Sequence, residues 1–466
     1  MTTLNTLIAI SVCYVLLLFA VAFLAERAAQ RGKGRWLRAP VVYTLSLSIY
    51  CTAWTFYGAV GYAARSGMEF VTIYLGPSLV MIGWWWVLRK LVRIGKAQRV
   101  TSVADLISAR YGKSNMLALI VTVMAVIGVT PYIALQLQSV TVSLSIFAEA
   151  AETGGRAFDD ASSGFWVAAG LALFTVLFGT RNLNTNERHD GVVIAVAVEA
   201  VVKLVALLAV GIFVVWGIAG GVGPMLARID ASPIGTWEMD RSRWAALTFL
   251  SAAAFLCLPR MFQVLVVEND DERHLQIASW AFPVYLMLMS LFVVPIAVIG
   301  LDLLPAGSNP DLFVLSVPLA EGRTGLAMLS FLGGFSSATS MVIVATLALS
   351  TMVSNHVVMP IYLGLQQGGA SVSGDVRQVV LLARRLSILI IIAFGYLYFR
   401  LSGGGGALAA IGLISFVGVA QFLPAMLGGI FWRGATRTGA AAGLCVGFVL
   451  WLFTSLLPGF GAGVVL

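Results

Sequence analysis

Two ionisable residues, Glu199 and Lys203, stand four apart inside an apolar run that extends from 188 to 218. Residues four apart share a helix face, with Glu preceding Lys in the favoured order. A charge at the centre of a bilayer is costly and faces the interior of a helix bundle. The pair therefore reads in one of two ways: an ion pair that pins this run to its neighbours, or a proton-responsive group whose ammonium stands in for a metal cation. A second polar set is Ser46, Ser48, Tyr50, Thr52 and Trp54, which interrupts an apolar run at its middle. A matching stretch, Thr248, Ser251 and Phe255 followed by Pro259, interrupts a run five places later. Gln136, Gln138 and Ser139, just after Pro131-Tyr132, are polar groups suited to a solute path or to bonds between helices. Binding pockets combine apolar walls with a few placed polar groups. Tyr50, Thr52, Trp54, Gln136, Ser251 and Phe255 are accordingly expected to converge on a solute site.

The elements that must position these residues are membrane helices. Of 466 residues, 59% are apolar and only 11% are charged, against about 25% charged in a soluble globular domain. Runs of roughly 20 apolar residues, each long enough to cross a bilayer, recur at 3–26, 41–62, 69–91, 114–147, 164–180, 188–218, 243–266, 273–299, 325–357, 379–401, 406–431 and 438–458. Cys13, Cys51, Cys257 and Cys445 all fall inside such runs and read as packing residues, neither a disulfide framework nor a metal site. With the N-terminus outside, 21 Lys and Arg fall on the inner side and 7 on the outer, and with Lys203 inside a run these account for all 29; that bias sets orientation. The net charge of +8 is explained by that bias, with no nucleic-acid partner. The second and seventh runs carry polar, small-residue interruptions in matching positions, and the seventh adds a proline. Interrupted helices in corresponding positions are the best sequence pointer to a transporter's site, and freed backbone groups are tolerated only where protein or a cavity satisfies them. Five crossings between them invert the second unit relative to the first. The stretch from Thr101 to Tyr111 reads as a short inner surface helix capped by Thr101 or Ser102. Trp84, Trp85 and Trp86 read as interfacial belt residues.

Several motifs resemble the sodium:solute symporter family across about residues 1–460: Trp54-x3-Gly58-x2-Gly61, Leu258-Pro259-Arg260 through Glu268-Asn269, and the closing pattern Gln421-Phe-Leu-Pro424, Gly428, Trp432-Arg433, Gly439, Gly443 and Gly447. The resemblance implies a LeuT-like, five-plus-five inverted-repeat fold for this all-α integral membrane protein, whose apolar runs count about twelve helices. It divides the single domain into an extra first helix (1–38), a first repeat (39–218), a second repeat (243–432) and a terminal helix (438–466) that ends short of the family's usual thirteenth span. It also implies a small organic solute, most simply an amino acid, moved by alternating access across a bacterial inner membrane. The stretches from Ser46 to Gly58, from Glu187 to Gly191 and from Ala348 to Asn355 are similar to a narrower subgroup, the N-terminal membrane domains of bacterial sensor histidine kinases. That likeness implies a C-terminal or separate kinase module as partner, and a chain truncated or split from it. The alternative function is then a solute-sensing input domain with little or no transport. No phosphoacceptor histidine motif or ATP lid is present in the sequence, so no enzyme activity and no cofactor are expected. In the family, sodium is held by backbone carbonyls of the first core helix and by two adjacent hydroxyls on the eighth. Here those hydroxyl positions are Ser340 and Met341, and Tyr50 stands where sodium-coupled members often carry an aspartate. Ser340 is thus the possible remnant of a sodium site, with Ser336, Ser337 and Thr339 as neighbouring hydroxyls. The resemblance groups Ser48, Ser337, Ser340, Asp190, Glu199 and Lys203 as the set that meets a coupling sodium or proton. Some proton-coupled transporters of the same fold place a lysine of the fifth core helix there.

Overall fold

A computed structural model describes residues 2–31, 37, 39–150, 160–179, 190–366, 376–403 and 406–460, and these are helical throughout, without a strand. In order the helices are α1 (Thr2–Gln30), α2 (Pro40–Ser46), α3 (Ala59–Ser66), α4 (Val71–Ile82), α5 (Leu88–Gln98), α6 (Val103–Arg110), α7 (Asn115–Ala150), α8 (Asp160–Gly179), α9 (Asp190–Ile212), α10 (Val222–Ala231) and α11 (Arg241–Cys257). They continue as α12 (Pro259–Phe262), α13 (His274–Ser290), α14 (Val293–Leu303), α15 (Phe313–Ala320), α16 (Thr324–Val353), α17 (Met359–Gln366), α18 (Val376–Leu401), α19 (Leu408–Ala420), α20 (Leu423–Phe431) and α21 (Arg437–Trp451). Among the described residues eight helical segments are long and apolar enough to cross a membrane, and nine when α11 and its bent continuation are taken as one. This is a multi-pass membrane protein. The runs expected at 41–62, 69–91 and 164–180 are each built from shorter helices or a shorter apolar core.

The two expected interruptions differ in form. After α2 the chain tightens into a 3-10 turn, Leu47–Tyr50, passes through Cys51 in an extended conformation (φ −78°, ψ 101°), and resumes as a wide turn, Trp54–Gly58, leading into α3. The second break is sharper and later than the polar stretch suggests. Ser251 through Cys257 stay helical, and the break falls at Leu258 (φ −60°, ψ 126°). A proline's ring excludes helical geometry from the residue before it, and Pro259 then starts the next helix at an angle of 57° to α11. Arg260 belongs to this broken segment and is buried, so it does not count among the inner-side cations that set the charge bias.

The long helix α16 forms the spine, packing on α9, α7 and α18, while α11 packs on α4 and α19. Small residues let these backbones approach, as they do in membranes generally. At Gly76 a Cβ would stand 2.0 Å from Ser251 Oγ and 2.6 Å from Ala252 N, so α4 and α11 are in backbone contact there. Polar pairs tie the helices at one end of the bundle: Arg65 to Asp311 (2.9 Å), whose other oxygen accepts from Leu408 N (3.0 Å), and Arg243 to Glu69 (2.8 Å). At the opposite end Arg93 holds Glu272 (2.7 Å) and Lys96 donates to Asp270 O (2.8 Å).

The expected surface helix at 101–111 is α6, and Ser102 is its cap, accepting from Asp105 N at 3.1 Å. The Asp105 carboxylate accepts from Thr101 N (3.0 Å) and from the Thr101 hydroxyl, and lies 3.0 Å from His356 Nε2 beyond the end of α16. Burial works to raise its pKa, but the hydrogen bond and charge of His356 and the Thr101 bonds outweigh it and hold the carboxyl below the usual 3.8.

Two outcomes follow for stability. Gly76→Ala should destabilise the protein by about 1–3 kcal/mol through overpacking. Gly170→Ala should be neutral or stabilising, since its Cβ meets nothing within 4 Å and it removes the helical cost of glycine. Melting curves in detergent check the pair, and equal effects would contradict the close approach. For Asp105, a depressed carboxyl contributes stability that is present above its unfolded pKa and lost as pH falls through the folded value. Asp105→Asn should therefore lower the melting temperature at neutral pH, and the difference from wild type should close as pH falls below 3.8. A constant gap across that range would show that the carboxylate's charge is not involved.

Candidate functional site

Breaking a helix inside the bundle leaves backbone groups that need partners. At the first break the partners are side chains from other helices. Lys203 on α9 is fully buried, and its Nζ donates to Ser48 O and to Cys51 O, both at 2.8 Å. Gln136 on α7 accepts from Ala53 N at 3.1 Å. Thr52 turns its hydroxyl to Tyr132 Oη (2.9 Å) and accepts from Trp54 N (3.3 Å), while its carbonyl accepts from Thr55 Oγ1 (2.9 Å). The break is thus a ring of oriented dipoles around one ammonium.

An aromatic cluster adjoins it. Trp54 meets Phe416 of α19 edge to face (centroids 4.8 Å) and Tyr132 the same way (6.2 Å), and Tyr132 stacks on Phe416 (5.8 Å). Tyr50 packs edge to face on Phe255 of α11 (5.6 Å) and anchors its hydroxyl on Ile73 O (2.7 Å). Such pairs are worth about 0.5–1.5 kcal/mol each beyond area burial. Arg260, 1% exposed, lies with its guanidinium over the Tyr132 ring, 4.4 Å from the centroid.

Of the residues expected at a solute site, Tyr50, Thr52, Trp54, Gln136 and Phe255 meet in this cluster. Ser251 does not join it through any of its bonds: its hydroxyl donates to Thr72 O (2.7 Å) across the α4–α11 contact and to Thr248 O (3.0 Å). Ser48 takes part through its carbonyl. Glu199 and Lys203, though on one helix, are not paired: the Glu199 carboxylate accepts from Thr339 Oγ1 of α16 (3.0 Å), and the ammonium turns to the break. Ser337 and Ser340 donate to carbonyls of their own helix, Gly333 O (2.8 Å) and Ser336 O (2.9 Å). Ser340 and Glu199 also line one small void beside Leu18. Met341 is buried. Asp190 opens α9, and its side chain lies outside the described residues. Tyr132, Phe416 and Arg260 were not expected in the cluster. An arginine directly after the proline of a broken apolar run is the signal that could have found Arg260.

No family model matches the chain. It is 24% identical over 460 residues to an uncharacterized symporter, YhjB, of Bacillus subtilis (strain 168), an alignment that covers 94% of this chain and 87% of the relative. It is 24% identical over 474 residues to a second uncharacterized symporter of that organism, YodF, covering 97% and 88%. Its fold is similar to that of a Na+-coupled sialic acid symporter solved in a substrate-bound, outward-open state, with TM-score 0.66 at 13% identity over 96% of this chain and 98% of that one. A manganese transporter of Eremococcus coleocola is similar over 90% of this chain and 86% of its own, with TM-score 0.53 at 15% identity.

The Thr52–Tyr132 hydrogen bond joins the break to α7, so its two ends should be energetically coupled. Thr52→Val and Tyr132→Phe should each destabilise, and the double variant should lose less than the sum, by about 0.5–1.5 kcal/mol. A double-mutant cycle on unfolding in detergent measures this, and strict additivity would show that the bond contributes nothing.

Proposed function

We propose that the chain is a secondary transporter of a small organic solute, an amino acid, working by alternating access in a bacterial inner membrane. We further propose that Lys203 takes the place of the coupling metal cation. The observation that carries the reading is the Lys203 ammonium on two carbonyls of the first broken helix. The family resemblance puts a coupling cation on carbonyls of this same helix. Similarity along nearly the whole chain to two symporters, and in fold to a Na+-coupled symporter, supports the transport class. In this reading the breaks at Cys51 and Leu258 are equivalent points of two inverted repeats, 39–218 and 243–432, within a twelve-span bundle.

The bonds at the break support coupling to a proton. A protonated Lys203 holds Ser48 O and Cys51 O together, whereas a neutral amine offers those carbonyls a weaker donor and no charge. The geometry of the break and the protonation of Lys203 are then linked, and each biases the other by the same free energy. Thr339 positions Glu199 one helical turn away, where its carboxylate can exchange a proton as access alternates. The Na+-coupled neighbour favours sodium as the second reading, with Ser340 its nearest remnant ligand. The sensor-kinase-like motifs favour a solute sensor as the competing class.

Uptake of a mixture of radiolabelled L-amino acids into proteoliposomes separates these readings. Flux should follow an imposed proton gradient and ignore a sodium gradient. Lys203→Met should retain binding but flatten the pH dependence. A steep sodium requirement that Ser340→Ala abolishes would overturn lysine coupling, and binding without flux would favour the sensor.

A further inference from the structure

We propose that Arg260 is the anchor for a carboxylate of the solute, so that the substrate class is restricted to organic anions and zwitterions. The inference rests on the transporter reading and names the chemistry of its site. Arg260 is 1% exposed, and none of its three guanidinium nitrogens has a hydrogen-bond partner among the described residues. Its guanidinium lies over the face of the Tyr132 ring, 4.4 Å from the centroid. A ring face compensates a cation only in part. It leaves a guanidinium's five N–H donors unused, and an unsatisfied buried charge calls for an explanation.

The surroundings point to an anion. Lys203 and Arg260 are both buried at the two helix breaks, and α12 packs directly against the 3-10 turn of the first break. The buried acid nearest them in sequence, Glu199, is engaged by Thr339. The other two buried acids among the described residues are already paired, Glu69 with Arg243 and Asp311 with Arg65. The centre thus carries more buried positive charge than negative, and Arg260 is the member with free donors. A guanidinium fork matches a carboxylate bidentately, which an ammonium does not. Tyr132 and Thr52, hydrogen-bonded to each other beside it, offer hydroxyls to the rest of the solute.

The test uses the full chain in detergent and a thermal-shift panel. One arm holds L-amino acids, hydroxy acids and dicarboxylates. The other holds their primary amides together with neutral sugars and polyols. Stabilising compounds should all carry a carboxylate, and the matching amide should fail. In Arg260→Gln the apparent affinity should fall by at least about tenfold, the loss expected for a charge-assisted pair, with Arg260→Lys intermediate. Stabilisation by neutral compounds, equal stabilisation by acid and amide, or none by any carboxylate overturns the proposal, and the acid–amide comparison needs no variant to fold. Proton-driven uptake of a neutral solute would overturn Arg260 as anchor while leaving the transport reading intact. Carboxylate binding without flux would do the reverse.

Discussion

A helix interrupted in an apolar medium must find partners for its backbone, and this requirement organises the bundle around residues 47–54. In water the orphaned carbonyls and amides would be hydrated at little cost. In a bilayer each one left alone costs several kcal/mol. Here Ser48 O, Cys51 O and Ala53 N are served by α9 and α7 through Lys203 and Gln136. Those helices cannot shift relative to the break without exposing a buried charge or a buried amide. α16 packs against both α9 and α7, the helices that carry the donor Lys203 and the acceptor Gln136.

The second break obeys the same physics with a different remedy. Pro259 has no amide hydrogen, and its ring forces Leu258 out of helical geometry, so fewer groups are orphaned. The chain resumes at once as α12. The consequence is directional rather than electrostatic: the 57° bend carries Arg260 over Tyr132 and packs α12 against the first break. One break is thus held open by side chains that reach in, and the other turns a side chain inward.

Polar pairs at the two ends close the arrangement. Asp311 joins Arg65, beyond the first break, to the first turn of α19, which carries Phe416. Asp105 joins α6 to the end of α16 through His356. Each ties together elements that are far apart in sequence. Asp311 is buried, so losing Arg65 would leave an uncompensated charge and cost more than breaking a surface pair.

Much of this was legible in the chain itself. Apolar runs mark membrane helices because burial in lipid depends on composition alone, and polar interruptions and Pro259 mark the breaks because backbone geometry is local. The clustering of Tyr50, Thr52, Trp54, Gln136 and Phe255 could be anticipated from their depth in their runs. Partner choice could not. Glu199 and Lys203 share a helix face, and helix periodicity alone would pair them. The tertiary packing instead brings Thr339 to one and the carbonyls of Ser48 and Cys51, some 155 positions away, to the other. Ser251 read as a site residue by its position in a broken helix, yet its rotation about that helix faces it to Thr72 O. Arg260 read as a surface cation by the charge rule, yet the bend turns it inward. Local physics determined where the helices are and where they fail; only their packing decided which side chains answer each failure, because a buried polar group bonds to whatever the fold brings within about 3 Å, and sequence spacing does not encode that distance.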